Sequence, residues 1–263
     1  MLIDLHNHVL PGVDDGSPNL TVSMNMIRAA SAQGITDIIN TVHFQHPKMD
    51  MIPITIEDIA FKTQELQKEI DSAGLSVKLH IGAEVFFLPN LLELRKNMLC
   101  TFGNGRYMLI EFQTHQLPPG YDDELYSLVM SGTTPIIAHP ERYRPIQNNI
   151  NIVEKLINSG CLMQIDAGSL LGQFGENCKK TAEIMLGRNM VHFMGSDAHN
   201  DGKRNFCLEL AVDVCKGIIG DYTTSLVYDN PQKLLNGEKV IPLEIIDEKE
   251  GFVKSILKKI KLN

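Results

Sequence analysis

No apolar stretch in this chain approaches the roughly 20 residues that a bilayer-spanning helix requires, so no transmembrane segment is expected. The N-terminal MLIDLHNHV has no basic run ahead of its apolar residues, so no secretory signal is expected either. Cysteine is sparse: Cys100, Cys161, Cys178, Cys207 and Cys215 are odd in number, widely spaced and without a CxxC pair. That pattern fits reduced thiols in a cytoplasmic protein better than a disulfide framework. Positive charge is also in deficit, with 24 Lys and Arg against 32 Asp and Glu and a net charge of -8. A nucleic-acid surface needs clustered Lys and Arg, so nucleic acid is not the expected partner. Part of the acidity is local, however, and bound divalent cations would neutralise it. The first strand is followed by neither GxGxxG nor GxxxxGK[ST], so the phosphate-cradling folds lack their signature. Internal repeats, low-complexity tracts and obvious linkers are missing as well.

What the chain does have is enough apolar residue for a full core, 43% of 263 residues, arranged as strands alternating with helices from end to end. Strands are expected at LIDLH, Asp37–Val42, Val77–Val85, Tyr107–Phe112, Thr134–His139, Leu162–Asp166 and Val191–Asp197. Helices are expected at about Leu20–Gln33 (capped by Ser17 or Asn19), Ile56–Ala73, Asn90–Lys96, Asp122–Ser131, Asn151–Ser159, Asn177–Gly187 and Asn205–Lys216. Such alternation indicates βαβ units and a parallel sheet. About seven units in one chain favour a closed α/β barrel, with functional side chains at the C-terminal ends of the strands. Residues 1–240 read as one domain. The remainder, 241–263, ends in GFVKSILKKIKLN, with four Lys, no acid and apolar residues at helical spacing. A surface helix or frayed tail is the simpler expectation for it; peripheral contact with an anionic membrane is the alternative.

The strand ends carry the chemistry. His6, His8, Asp15, His43, Glu84, Glu111, His139, Asp197 and His199 fall almost without exception at the close of an apolar run. Residues two apart in a strand share a face, so His6 with His8, and Asp197 with His199, are each expected to enter one site. Asp4 and the LPGVDDG turn add acids within reach. The alternative, a set of core or capping polar residues, would leave many acids and imidazoles poorly satisfied on one rim. Mixed His and carboxylate donors without a thiolate suit Mn, Fe or Zn rather than a structural Cys-type zinc site. Nine ligands exceed the needs of one ion, so two or three divalent ions are expected, with Glu84 and Asp197 as natural bridges. Closely spaced ions generate hydroxide at neutral pH and clamp the oxygens of a phosphoryl group, which points to phosphoester hydrolysis.

LIDLHNHVLPGVDDG, TVHF, GAEVFF, LIEF, IAHPERY and GSDAHN resemble, in order, the motifs of the PHP superfamily. Within it they are most similar to the bacterial manganese-dependent protein tyrosine phosphatases of capsule and exopolysaccharide operons, the CpsB/YwqE type. The resemblance covers about Met1 to Asn236. It implies a distorted TIM-like (β/α)7 barrel with a trinuclear metal site, held by the same nine residues. It also implies a phosphotyrosine-containing protein as substrate, the C-terminal tail of a bacterial tyrosine kinase that controls polysaccharide assembly. A small-molecule phosphomonoesterase such as a histidinol-phosphatase is the alternative within the superfamily.

Arg142, just past the fifth strand, and Arg204, in HNDGKRNF, are expected to bind phosphate oxygens, because a planar guanidinium matches phosphate with paired hydrogen bonds. By resemblance both line the substrate site, although Lys203 is an insertion in the usual spacing before Arg204; pairing of Arg142 with Glu141 is the alternative. His199 is a candidate proton donor to the leaving phenolate as well as a ligand. Asp166 departs from the family's pattern, which has a neutral residue there, and is expected to support or cap rather than ligate. His46 and His115 lie in rim loops, whereas His80 and His192 are expected to be structural. Finally, Cys100 and Arg106 fit the C-x5-R spacing of cysteine-dependent phosphatases. That loop should follow a strand and open a helix, whereas this one precedes a strand, so it is read as a coincidence.

Overall fold

The structure is a computed structural model that describes residues 1–49 and 55–247. Its sheet has seven parallel strands in sequential order: β1 Leu2–Asp4, β2 Ile35–Phe44, β3 Lys78–Phe86, β4 Tyr107–Glu111, β5 Thr134–Ala138, β6 Leu162–Asp166 and β7 Phe193–Gly195. Parallel strands need long crossovers, and each is supplied by a segment containing at least one helix. Alternate strand residues enter two separate clusters. Ile3, Ile39, Leu109, Ile136, Leu162 and Phe193 join the smaller one, which plugs the barrel beneath its mouth. Ile38, Val42, Ile110, Ile137, Met163 and Met194 pack outward against helix residues such as Ile27, Leu66 and Leu128. This two-sided burial is why the strands read as nearly continuous apolar runs.

The seam between β7 and β1 closes beyond the strands, at the mouth. Asp197 N donates to His6 O at 2.7 Å, His8 N donates to Ala198 O at 2.8 Å, and Ser196 N donates to Asp4 Oδ2 at 3.0 Å. Closing the barrel therefore also joins the two ends of the candidate metal-binding set. Asp4 is spent on this seam; it also accepts from His6 N and Asn7 Nδ2.

Most helices fall within a residue or two of expectation: Leu20–Ala32, Ile56–Ser72, Tyr121–Met130, Asn151–Asn158 and Glu176–Gly187. Asn19 is the cap of the first, accepting from Val22 N at 3.1 Å, while Ser17 bonds Ser23 and Asn19 O. The last long helix runs Leu208–Ile219, later than expected, because the Asn205 side chain accepts from Phe206 N and holds that stretch out of helix. Strand β7 is shorter than the expected Val191–Asp197, since Asp197 adopts a left-handed φ of 48°, which no strand ladder accommodates. Short helical turns at Pro140–Arg142, Arg144–Asn148, Ala167–Leu170 and Asn230–Leu235 were not anticipated; one or two turns give no readable periodicity.

After the barrel, residues 241–247 run along the turn that follows Glu176–Gly187. Ile246 N donates to Arg188 O, and Arg188 Nε donates to Ile246 O at 3.0 Å. The basic segment GFVKSILKKIKLN lies outside the described residues. Among the described residues, no helix is long and apolar enough to cross a membrane.

Candidate metal centre

The nine sequence-derived ligands come together at the barrel mouth. Four overlapping groups have donor atoms within 4.8 Å of one another: His8, Asp15, His43 and His199; His6, His8 and Asp197; His6, Glu84 and His139; and His43, Glu84 and Glu111. His43 and Glu84 lie within β2 and β3, Glu111 ends β4, and His139 follows β5 directly. His139 and Asp197 both hold left-handed backbone, φ 34° and 48°, without being glycine. Such strain persists where the surroundings over-determine it, as at a rim whose side chains must all point inward.

The side chains converge on common points rather than pairing off. His6 Nε2 lies 3.1 Å from Glu84 Oε2 and 3.6 Å from Asp197 Oδ1, and His8 Nε2 lies 3.4 Å from each of those oxygens. Yet His6 Nε2, His8 Nε2, His43 Nδ1 and Glu111 Oε2 are buried without a hydrogen-bond partner. Buried, unpartnered donor atoms aimed at one another's carboxylates are costly alone and are satisfied by cations between them. The residues thus fit a cluster of divalent ions.

The imidazole tautomers fit as well. His6 Nδ1 lies 2.9 Å from Gln164 Oε1, His8 Nδ1 lies 2.8 Å from Asp14 Oδ2, and His199 Nδ1 lies 2.9 Å from Asp197 O. Each partner is an acceptor, so in the neutral rings each Nδ1 carries the proton and each Nε2 presents a lone pair inward. For His199 this leaves a lone pair facing Asp15, the disposition of a ligand. Asp14 also accepts from Gly16 N and His43 N, so one carboxylate fixes the DDG turn, His8 and β2 together. Gly16 is needed because a Cβ there would collide with His8, and one on Gly195 would stand 2.7 Å from His6 Cβ.

Without cations, protons take their place. Burial disfavours a charged His6, but Glu84 and Asp197 outweigh it and lift its pKa to about 10. Burial likewise opposes ionised Glu84 and Asp197, yet the surrounding imidazoles hold both well below the ordinary carboxylate range. Glu111 is pushed well above it, by burial and then by the charges of Glu84 and Asp197. Metal uptake at this site therefore releases protons.

Beside the ligands, Arg142 Nη1 donates to Asp197 Oδ2 at 2.7 Å and to Asp166 Oδ2 at 3.0 Å. Arg204 Nη2 donates to the same Asp197 Oδ2 at 2.6 Å. Asp197 thus turns Oδ1 to the imidazoles and Oδ2 to both guanidiniums. Among the described residues, Asp166 joins no ligand group and makes no capping bond; it holds Arg142. Glu141 turns inward, accepting from Asp166 N and Ser169 Oγ, and burial, aided by the Asp166 charge, raises its pKa to about 8. It is not the partner of Arg142 anticipated as the alternative.

Three participants escaped the sequence reading. Gln164 was hidden inside an apolar strand, where a buried amide was the available signal. Asp14 was seen only as a nearby acid. Phe174, whose ring lies 4.5 Å from Arg142 Cζ, left no trace in the sequence. Of the remaining histidines, His46 reaches the rim. Its Nδ1 accepts from Lys48 N, and its Nε2 lies 3.7 Å from Glu111 Oε2. His115 is exposed in its loop. His80 pairs with Asp37, and His192 is buried with Nδ1 accepting from Met163 N. Cys100 sits before β4, at the opposite end of the barrel from the ligands. It is fully buried, its thiol is pushed up to about 12 by that burial, and Arg106 is bound to Gly237 O.

Comparison with known proteins gives the chain's relatives. The family model for capsular polysaccharide synthesis, CpsB/CapC, matches residues 2–236. CapC of Staphylococcus aureus is 34% identical over 94% of each chain. The tyrosine-protein phosphatase YwqE of Bacillus subtilis is 32% identical over 91% of this chain and 93% of its own. A crystal structure from work on YwqE and on CpsB of Streptococcus pneumoniae, described as metal-dependent tyrosine phosphatases, superimposes with a TM-score of 0.87. It is 30% identical, covering 94% of this chain and all of the other.

Proposed function

Since this chain belongs to the CpsB/CapC family of capsular polysaccharide synthesis, we propose that it is a metal-dependent tyrosine-protein phosphatase whose catalytic unit is the barrel through about residue 240. One observation carries this: nine His and carboxylate side chains converge on the barrel mouth, several with buried, unpartnered donor atoms, flanked by two guanidiniums on a shared carboxylate. His6, His8, Asp15, His43, Glu84, Glu111, His139, Asp197 and His199 would hold two or three divalent ions. Manganese is the proposed native ion, in keeping with an all nitrogen and oxygen donor set. Such ions supply a nucleophile at neutral pH and neutralise phosphoryl charge.

The protein's own share is positioning. Gln164, Asp14 and the Asp197 carbonyl fix three imidazoles with Nε2 inward. Arg142 and Arg204 stand where the equatorial phosphoryl oxygens gather, and their charge opposes the build-up of negative charge there. A tyrosine phenol, with a pKa of roughly 10, leaves more readily than an alkoxide, so less proton donation is demanded. That eases the requirement on His199, whose Nδ1 proton is committed to a carbonyl.

The proposed substrate is the phosphotyrosine tail of a bacterial tyrosine kinase governing polysaccharide assembly. The proposed compartment is the cytoplasm, in keeping with five free thiols. The decisive test compares a phosphotyrosyl peptide with histidinol phosphate, with manganese and with chelator. Preferential, manganese-dependent turnover of the peptide is expected. Preference for histidinol phosphate would replace this reading with a small-molecule phosphomonoesterase.

A further inference from the structure

Arg142 and Arg204 arrive from distant parts of the chain, carry the same charge, and donate to the same oxygen of Asp197. Arg142 has a second carboxylate in Asp166, but among the described residues Arg204 has none, and its buried Nε has no partner there. Mutual repulsion favours their separation. What they share besides Asp197 is one aromatic ring: the centroid of Phe174 lies 4.5 Å from Arg142 Cζ and 5.7 Å from Arg204 Cζ. A ring face attracts guanidiniums within about 6 Å, by roughly 0.5–1 kcal/mol each when exposed and more when desolvated.

The ring is itself seated. Phe174 follows the turn Ala167–Leu170, whose Gly168 is buried, and a Cβ added there would lie 2.7 Å from Gln173 Oε1 and 3.0 Å from the ring. A side chain at position 168 would press on Gln173 and on the edge of the Phe174 ring. Phe174 carries no side-chain atom able to ligate an ion; what its ring meets is the two guanidiniums.

We infer that Phe174 is a positioning residue that binds Arg142 and Arg204 as one dianion clamp, setting affinity for the phosphoryl group of the substrate. The inference rests on the phosphatase reading and deepens it. The ring acts through its π face on both cations, and Gly168 keeps the ring in register.

The test uses manganese-loaded full-length protein and the variants Phe174→Leu, Phe174→Tyr and Gly168→Ala. Readouts are KM and kcat on a phosphotyrosyl peptide, inorganic phosphate binding by calorimetry, and bound manganese by elemental analysis. Two cation–π contacts predict that Phe174→Leu raises KM and the phosphate Kd by about 10-fold, with kcat changed less and manganese content unchanged. Phe174→Tyr, which keeps the ring, should stay near the unaltered protein, and Gly168→Ala should follow the Leu variant. If Phe174→Leu keeps the original KM and phosphate affinity, the ring merely fills space and the inference is overturned. If its kcat and manganese content fall while KM holds, the ring is structural and the inference is equally overturned. Failure of the phosphatase reading shows separately, as unaltered protein that does not turn over the peptide. The phosphate titrations would still report on the clamp.

Discussion

Gln164 Oε1 lies 2.9 Å from His6 Nδ1, joining β6 to the end of β1 across 158 residues of chain. The same side chain anchors itself through Nε2 on Ile165 O and Asp166 Oδ1. The amide is therefore held with its oxygen toward His6, and the neutral imidazole keeps its single proton on Nδ1, leaving the Nε2 lone pair inward.

Replacing Gln164 by Leu should lower manganese affinity by roughly 10–100-fold, the usual consequence of losing a ligand's outer hydrogen bond. Calorimetric titration checks this, with circular dichroism to establish that the barrel is retained. An unchanged affinity would show that the ring is oriented by packing alone.

Cys100→Ser should retain kcat/KM within about two-fold, while His6→Ala, or chelator on the unaltered protein, should abolish turnover. The buried thiol, pushed up to about 12, supplies no thiolate at neutral pH. Loss of activity in Cys100→Ser protein that still binds manganese would reinstate a cysteine nucleophile.

Asp166→Ala should leave manganese content intact and raise KM by about 10-fold, because Arg142 loses one of two charge-assisted bonds. Asp166→Asn keeps an acceptor and should fall between. Steady-state kinetics over the three proteins reads the order directly.

His192 is buried far from the mouth, and burial lowers its pKa from 6.5 to about 4. The unfolded chain takes up this proton as pH falls through 6.5, whereas the folded protein resists until about 4. Stability is thus lost across that window as pH falls, by about 3 kcal/mol from this residue. Urea unfolding at pH 7.5 and 5 should show the slope, and His192→Asn should flatten it.

Removing metal should lower the thermal midpoint by roughly 5–10 °C, restored by adding manganese back, since cations bind the folded rim and not the unfolded chain. Differential scanning calorimetry with and without chelator measures it.

How much of this was legible follows from which forces are local. The seven-strand alternation, most helix limits and the nine rim residues could be read because strand burial, capping and strand-end position are imprinted on neighbouring residues. Asp197 and His199 do come to the same barrel mouth, but not by strand alternation: Asp197 is left-handed and outside β7. The last long helix was placed too early, because a single side-chain bond from Asn205 to its neighbour has no periodic signature.

By itself, then, the sequence determined the repeating unit, the class of ligands and the end of the barrel where they gather. Only the tertiary structure decided that Oδ1 of Asp197 serves imidazoles while Oδ2 serves two arginines. It also decided that Asp14 and Gln164 set tautomers, and that Phe174 lies against both guanidiniums. Those relations depend on angles and distances between segments far apart in the chain, fixed when the barrel seam closes, and no local pattern of residue types encodes them.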